Sequence, residues 1–137
     1  MIVLDTNVMS EPLKKSPAAK VMDWLDNQAT ETLYISTISS AELRFGVLRL
    51  PEGKRKKELA ARIERALGIF RDRTLAFDVQ AAEQLAQIAT RTAMIGRKAT
   101  APDAYVAATA AAHGFAVATR NIRHFEPTGV RVINPWD

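Results

Sequence analysis

The chain has 137 residues, a formal net charge of +4 and no cysteine. This length fits one domain, and the 47% of hydrophobic residues can fill one core. The lack of cysteine excludes disulfides, thiolate zinc sites and cysteine nucleophiles, and it suits a reducing cytoplasm. The modest basic excess favours a polyanionic partner such as a nucleic acid, although it also fits ordinary solubility.

No segment of the sequence has the pattern of a targeting or membrane-spanning element. Asp5 interrupts the first apolar run too early for a signal peptide. The longest uncharged stretch, residues 104–119, is shorter than the roughly 20 apolar residues of a membrane span. We therefore expect a cytoplasmic protein with no membrane partner, in which residues 1–137 form a single domain.

Strand-like and helix-like patterns alternate along the chain. In chain order they predict a strand at 2–4, a helix at 16–28, a strand at 33–35, a helix at 39–50, a helix at 54–70, a strand at 74–77, a helix at 78–96, a helix at 100–113, a strand at 115–118 and a strand at 130–133. Strands separated by helices pair in parallel through right-handed crossovers. The predicted fold class is α/β, a three-layer α/β/α sandwich with a central, mainly parallel sheet.

Several helix ends carry recognisable signals. Ser16 followed by Pro17 is typical of an N-cap and a first helical position. Ser39 and Glu42 have the spacing of a capping box, which predicts Ser39 as an N-cap. Gly114 is the predicted terminator of the helix at 100–113.

Asp5 is the sharpest single signal of a functional site. It directly follows a short apolar strand, so it is expected at the carboxyl edge of the sheet, where α/β proteins bind ligands. Thr6 and Asn7 add further oxygen donors. The structural alternative is that Asp5 or Thr6 only caps the following turn.

Glu42 and Asp103 are two further acids in the first turns of predicted helices. The structural alternatives are a capping box for Glu42 and helix-dipole electrostatics for Asp103. The helix that Asp103 opens is otherwise almost free of charge, which predicts that it is buried. Both acids are therefore expected near the sheet edge that holds Asp5.

Three carboxylates at one sheet edge repel one another unless they bind a cation or a proton. Ligand sets made only of oxygen suit Mg²⁺, or alternatively Mn²⁺, rather than zinc. Such an ion can position a phosphodiester, lower the pKa of an attacking water and neutralise charge on phosphorus. The sequence leaves open whether one or two ions bind.

The loop after the strand at 115–118 is predicted to complete the site. Thr119 and Asn121 could hold a metal-bound water or a substrate phosphate. Arg120 and Arg123 could contact the nucleic-acid backbone, where phosphate contacts add affinity without sequence information. The alternative for all four is a solvated loop.

Two other polar features have ordinary explanations. The basic run at 54–57 is more typical of a solvated helix face than of a nucleic-acid contact. His113 is interpreted as a residue at a helix C-terminus. No serine or cysteine triad pattern accompanies it or His124, so a histidine-activated nucleophile is not expected.

Four sequence blocks, in order and spanning the chain, resemble PIN-domain ribonucleases, specifically the VapC toxins of type II toxin–antitoxin pairs. No one block is decisive, but their order at this chain length is specific. The blocks are Val3–Asn7, Ile38–Gly46, Pro102–Ala110, and a last one made of His113–Phe115, Ala118–Asn121 and His124–Phe125.

The resemblance implies a PIN-like, RNase-H-like fold and hydrolysis of RNA with Mg²⁺ or Mn²⁺. It makes Asp5, Glu42 and Asp103 the metal-binding acids. The fourth catalytic position corresponds to Asn121, where many members have an acid and related toxins have asparagine. This neutral residue weakens the expectation of a second metal site.

The resemblance also implies three kinds of partner besides the RNA substrate. A cognate VapB-type antitoxin would wrap the toxin and block the acidic pocket. The toxin would form a homodimer. Operator DNA would be bound only through the antitoxin.

Two other functions remain open on the sequence alone. A magnesium phosphatase with Asp5 as nucleophile typically has a second aspartate two residues on, but Asn7 occupies that position. A non-catalytic binding module, in which the acids are only helix caps, would need no metal. Phosphorylation of Asp5 would indicate the former function, and melting unaffected by Mg²⁺ would indicate the latter.

Overall fold

The computed structural model describes residues 1–97 and 101–137. The strands, labelled in chain order, are β1 Ile2–Leu4, β2 Leu33–Ser36, β3 Thr74–Leu75, β4 Ala116–Ala118 and β5 Val132–Ile133. The α-helices are α1 Thr6–Ser10, α2 Ala19–Asp26, α3 Thr37–Leu48, α4 Lys54–Ile69, α5 Val79–Met94, α6 Ala101–His113 and α7 Ile122–Phe125. None of the helices described is long and apolar enough to cross a membrane.

The five strands form one parallel sheet in the order β3-β2-β1-β4-β5. Leu4, the last residue of the central strand β1, pairs with Ile35 on one side and Ala118 on the other. The carboxyl ends of β1, β2 and β4 therefore lie side by side at one edge. The residues that leave these strands, Asp5 and Thr119 among them, emerge together there.

Helices cover both faces of the sheet, which confirms the predicted α/β/α sandwich. Successive side chains of a strand point to opposite faces. Ile2 and Leu4 accordingly join one buried cluster and Val3 joins the other. The first cluster includes Val8, Val21, Leu43, Val47, Ile63 and Leu67. The second includes Ile88, Val106, Ala107, Ala110, Val117 and Phe125.

The predicted start of α2 at Ser16 and Pro17 is wrong. The helix begins after Ala18, whose side chain cannot cap it. The carboxylate of Glu11 instead accepts the Ala18 N–H at 2.8 Å. The buried Glu11 carboxylate thus accepts an N–H at the helix start that the Ser16 hydroxyl was predicted to accept.

The predicted capping box of α3 is also wrong. β2 runs into the helix without a loop, so the N-cap is Ser36, whose hydroxyl accepts the Ser39 N–H at 3.0 Å. Glu42 consequently lies in the second turn rather than at the third helical position. Glu42 is therefore not part of a capping box, and its position requires a different explanation.

Other differences concern short elements and their ends. The helices α1 and α7 were not predicted, and β3 and β5 are each two residues long instead of four. The predicted helix start at Thr100 lies outside the described residues. Gly114, with φ of +69°, ends α6 as predicted, because glycine adopts this left-handed conformation without a steric penalty.

Candidate active site

Asp5 lies at the centre of a hydrogen-bond network at the carboxyl edge of the sheet. It is the N-cap of α1 and only 3% exposed. Its Oδ1 accepts the Thr6 N–H at 2.8 Å. Its Oδ2 accepts the Thr119 hydroxyl at 2.7 Å and the Asn7 amide at 3.3 Å. Asp5 therefore caps the helix, as the structural alternative held, but it also joins β1 to the loop after β4.

Burial raises the pKa of Asp5 to about 6, although hydrogen bonds from Thr119 and Thr6 act in the opposite direction. The negative charges of Asp103 and Glu42 make smaller upward contributions to this value. Such an effect requires both acids to lie near Asp5, because charge–charge interactions weaken with distance. The three predicted acids thus lie within range of mutual charge repulsion at this edge of the sheet, which we call the acidic pocket.

Thr6 connects two of these acids. Its backbone N–H contacts Asp5, and its hydroxyl donates to Oε1 of Glu42 at 2.8 Å. Glu42 is half-buried and reaches the pocket from α3. Glu42 thus does not cap α3, and its carboxylate instead binds the Thr6 hydroxyl.

Asp103 enters the pocket from the first turn of α6, where it is half-buried. His124 Nδ1 lies 2.7 Å from its Oδ2. His124 was not among the predicted site residues, although it belongs to the last of the four blocks. No local signal marked His124, because α7, the four-residue helix that carries it, is too short to be predicted.

The loop after β4 is tied to the pocket mainly through Thr119, which is fully buried. Its hydroxyl accepts the Asn7 amide at 3.2 Å and the Asn121 N–H at 3.0 Å. The side-chain Oδ1 of Asn7 in turn accepts the Arg120 backbone N–H at 3.2 Å. Thr119 and Asn7 thus hold the ends of β1 and β4 together.

The other predicted loop residues are more peripheral. Asn121 occupies the N-cap position of α7, but its side chain makes no capping hydrogen bond. Arg120 and Arg123 are exposed, and the Arg120 guanidinium lies 5.4 Å from the centre of the Trp136 ring. The two arginines therefore lie on the protein surface rather than inside the acidic pocket.

The chemistry of the donors fits a hard divalent cation, because the three carboxylates lie near one another. In residues 1–97 and 101–137, however, no three acidic or histidine side chains are already grouped as ligands of one ion. Each acid is instead held by a protein donor: Asp5 by Thr119, Glu42 by Thr6 and Asp103 by His124. Each donor therefore fixes the orientation of its carboxylate before any ion binds.

A groove of about 930 Å³ begins at Thr6 and Glu42 and runs between α3 and α4. Its apolar lining residues are Leu13, Leu43, Val47, Leu59 and Ile63. Its charged lining residues, besides Glu42, are Lys14, Lys15, Arg55, Glu58 and Arg62. An apolar surface with a charged border thus adjoins the acidic pocket.

The basic run at 54–57 is mostly an exposed helix face. Lys56 bonds to Glu52 and to the Leu48 carbonyl, and Lys54 lies 3.8 Å from Glu58. Arg55 is the member that lines the groove. The solvated-face interpretation therefore fits Lys54, whereas the Lys56 side chain is held by its partners and is only 15% exposed.

The comparisons with known proteins agree with the geometry. The PIN domain family model matches residues 2–129. The VapC ribonuclease Y4jK of Sinorhizobium fredii is 46% identical over 138 residues, covering 100% of this chain and 99% of the relative. Toxin FitB of Neisseria gonorrhoeae is 45% identical and covers 99% of both chains.

Solved structures give the same result. The crystal structure of FitAcB from Neisseria gonorrhoeae matches with a TM-score of 0.95 and 45% identity, covering 99% of both chains. DNA-bound VapBC from Salmonella typhimurium matches with a TM-score of 0.81 and 26% identity, covering 98% of this chain and 97% of the other. Sequence and structure therefore agree that this chain belongs to the PIN domain family.

Proposed function

We propose that this protein is a divalent-metal-dependent endoribonuclease that acts as the toxin of a toxin–antitoxin pair. The observation that carries the proposal is the buried Asp5 carboxylate, whose pKa is raised to about 6 beside Glu42 and Asp103. The names of the VapC ribonuclease and the toxin FitB support the same activity. Residues 1–137 would form a single nuclease domain that works in the cytoplasm, where its RNA substrate is found.

Asp5, Glu42 and Asp103 would hold Mg²⁺, or Mn²⁺ in its place. When bound, the ion would orient a phosphodiester, lower the pKa of an attacking water and neutralise charge on phosphorus. Thr119 and the Thr6 N–H keep the Asp5 carboxylate at the sheet edge.

The remaining loop residues would act on the substrate. Asn121 would supply a neutral polar group where other family members have an acid, so it adds no charge to bind a second ion. Arg120 and Arg123, both exposed, would contact phosphates of the RNA backbone.

The direct test is incubation of the purified protein with total RNA and Mg²⁺. We expect discrete cleavage fragments that disappear with a chelator and return when Mg²⁺ or Mn²⁺ is added back. Glu42→Gln should abolish the fragments. The matched control is Glu64→Gln, which removes an exposed acid that pairs with Arg44 at 2.9 Å outside the pocket.

Cleavage that survives both the chelator and Glu42→Gln would contradict the proposal. Phosphorylated Asp5 after incubation with a phosphate ester would favour the phosphatase instead. A protein with no cleavage and a melting temperature unaffected by Mg²⁺ would favour the binding module.

We further propose that a cognate VapB-type antitoxin occupies the groove between α3 and α4. The groove combines an apolar lining with a charged border, as recognition of an amphipathic helix requires, and it opens onto the acidic pocket. Operator DNA would then be bound only through the antitoxin; the solved VapBC complex from Salmonella typhimurium is likewise bound to DNA. The homodimer remains a prediction.

Leu59→Glu is expected to weaken antitoxin binding at least about tenfold, because it places a charge in the apolar lining. Calorimetric titration with the cognate antitoxin measures the effect. Ile69→Glu is the matched control, since Ile69 lies on the same helix, is 62% exposed and is not part of the groove lining. Equal affinities for both variants would rule out this groove as the binding site.

A further inference from the structure

We propose that His124 is a positioning residue that orients the Asp103 carboxylate within the acidic pocket. The inference rests on the proposed nuclease function, because it assigns His124 a role only through Asp103. It adds to that function a residue that does not itself belong to the three acids.

The contact joins two elements that are distant in sequence. His124 lies in α7 and Asp103 in α6, 21 residues earlier, yet Nδ1 and Oδ2 are 2.7 Å apart. This distance is typical of a hydrogen bond to a charged acceptor, which is stronger than a neutral one. With the carboxylate as acceptor, the proton of this hydrogen bond lies on Nδ1.

The position of His124 is fixed by its neighbours. Phe125, the next residue, is fully buried in the cluster that also contains Val106 and Ala107 of α6. The backbone N–H of His124 donates to the Asn121 carbonyl at 3.0 Å. α7 is therefore anchored against α6, and this packing holds the His124 imidazole next to Asp103.

The same segment also reaches Asp5. The Asn121 N–H donates to the Thr119 hydroxyl, which donates to Asp5. Residues 119–124 thus place a hydrogen-bond donor on each of two acids that repel each other. A carboxylate next to other negative charges gains by rotating away, and the donor from His124 opposes that rotation at Asp103.

Three substitutions of His124 distinguish the contribution of Nδ1 from that of Nε2. His124→Asn keeps a donor close to the position of Nδ1, whereas His124→Gln keeps one close to that of Nε2. His124→Ala removes both. The side chain is 51% exposed, so these changes do not open the core.

We expect His124→Ala and His124→Gln to weaken Mn²⁺ binding and to slow RNA cleavage roughly 10-fold or more, as for other residues that orient metal ligands. His124→Asn should recover most of both losses. Calorimetric titration with Mn²⁺ alone measures binding without RNA, and melting with a chelator checks the fold. Wild-type Mn²⁺ affinity in His124→Ala, or His124→Asn as impaired as His124→Ala, would overturn the inference.

Two parallel variants separate the possible failures. His113→Ala removes the other histidine, which is exposed at the end of α6, and should behave as wild type. If Asp103→Asn binds Mn²⁺ and cleaves RNA normally, the proposed function of the pocket fails and the inference with it. If Asp103→Asn loses both and His124→Ala loses neither, only the role of His124 is wrong.

Discussion

Replacing Asp5 with asparagine is expected to lower RNA cleavage by more than about a hundredfold while the protein stays folded. Asparagine preserves the shape of the side chain and an oxygen that can accept the Thr6 N–H, so α1 keeps its cap. The substitution removes the negative charge that the proposed cation requires. Cleavage of a labelled RNA, with circular dichroism as the check of folding, measures the result.

Asp78→Asn is a matched control because Asp78 is also an N-cap aspartate, accepting the Ala81 N–H at 2.9 Å, but of α5. Asparagine is as good an N-cap as aspartate, so this variant should cleave RNA at the wild-type rate. Wild-type cleavage by Asp5→Asn would contradict the role of Asp5 as a metal ligand. Equal losses in both variants would point to helix capping instead.

The metal-free protein is expected to lose about 3 kcal/mol of stability as the pH rises from about 4 to about 6, through Asp5 alone. The pKa of this carboxyl is raised from 3.8 to about 6 by folding, mainly because the group is buried. Between these values the unfolded chain has released the proton and the folded protein still holds it. Rising pH therefore favours unfolding over this interval, and the contribution is lost above it.

Urea denaturation in the presence of a chelator, repeated from pH 4 to pH 7, measures this loss. Other acids also titrate in this range, so the difference between wild type and Asp5→Asn is the informative quantity. The Asp78→Asn variant should follow the wild-type profile. Added Mg²⁺ should stabilise the wild type at neutral pH more than it stabilises Asp5→Asn. Identical pH profiles for wild type and Asp5→Asn would contradict the raised pKa.

The alternation of strands and helices was enough to predict the sheet, its parallel pairing and the edge at which Asp5 lies. The helices α1 and α7 escaped prediction because five and four residues are too short to show a helical period. The capping errors have a different cause. The Ala18 N–H at the start of α2 donates to the carboxylate of Glu11, seven residues upstream. Local sequence patterns do not reveal such a contact.

The candidate site was predictable to the extent that each residue carried its own local signal. Asp5 follows an apolar strand, and Asp103 opens an uncharged helix, so both could be selected from short stretches of sequence. His124 carried no such signal, because its relation to Asp103 depends on how α7 packs against α6. The link between Thr6 and Glu42 likewise spans 36 residues and arises only in the folded chain.

The Thr119 hydroxyl has consequences for how Asp5 can meet a cation. A hydroxyl has one proton and two lone pairs, and here Asn7 and Asn121 occupy the lone pairs. The proton must then point to Asp5, which fixes the polarity of the whole chain of contacts. Among the hydrogen bonds of the described residues, Oδ2 of Asp5 accepts two and Oδ1 accepts one. The two oxygens are therefore inequivalent, and Oδ1, on the side of Thr6, retains more of its electron density for an incoming ion.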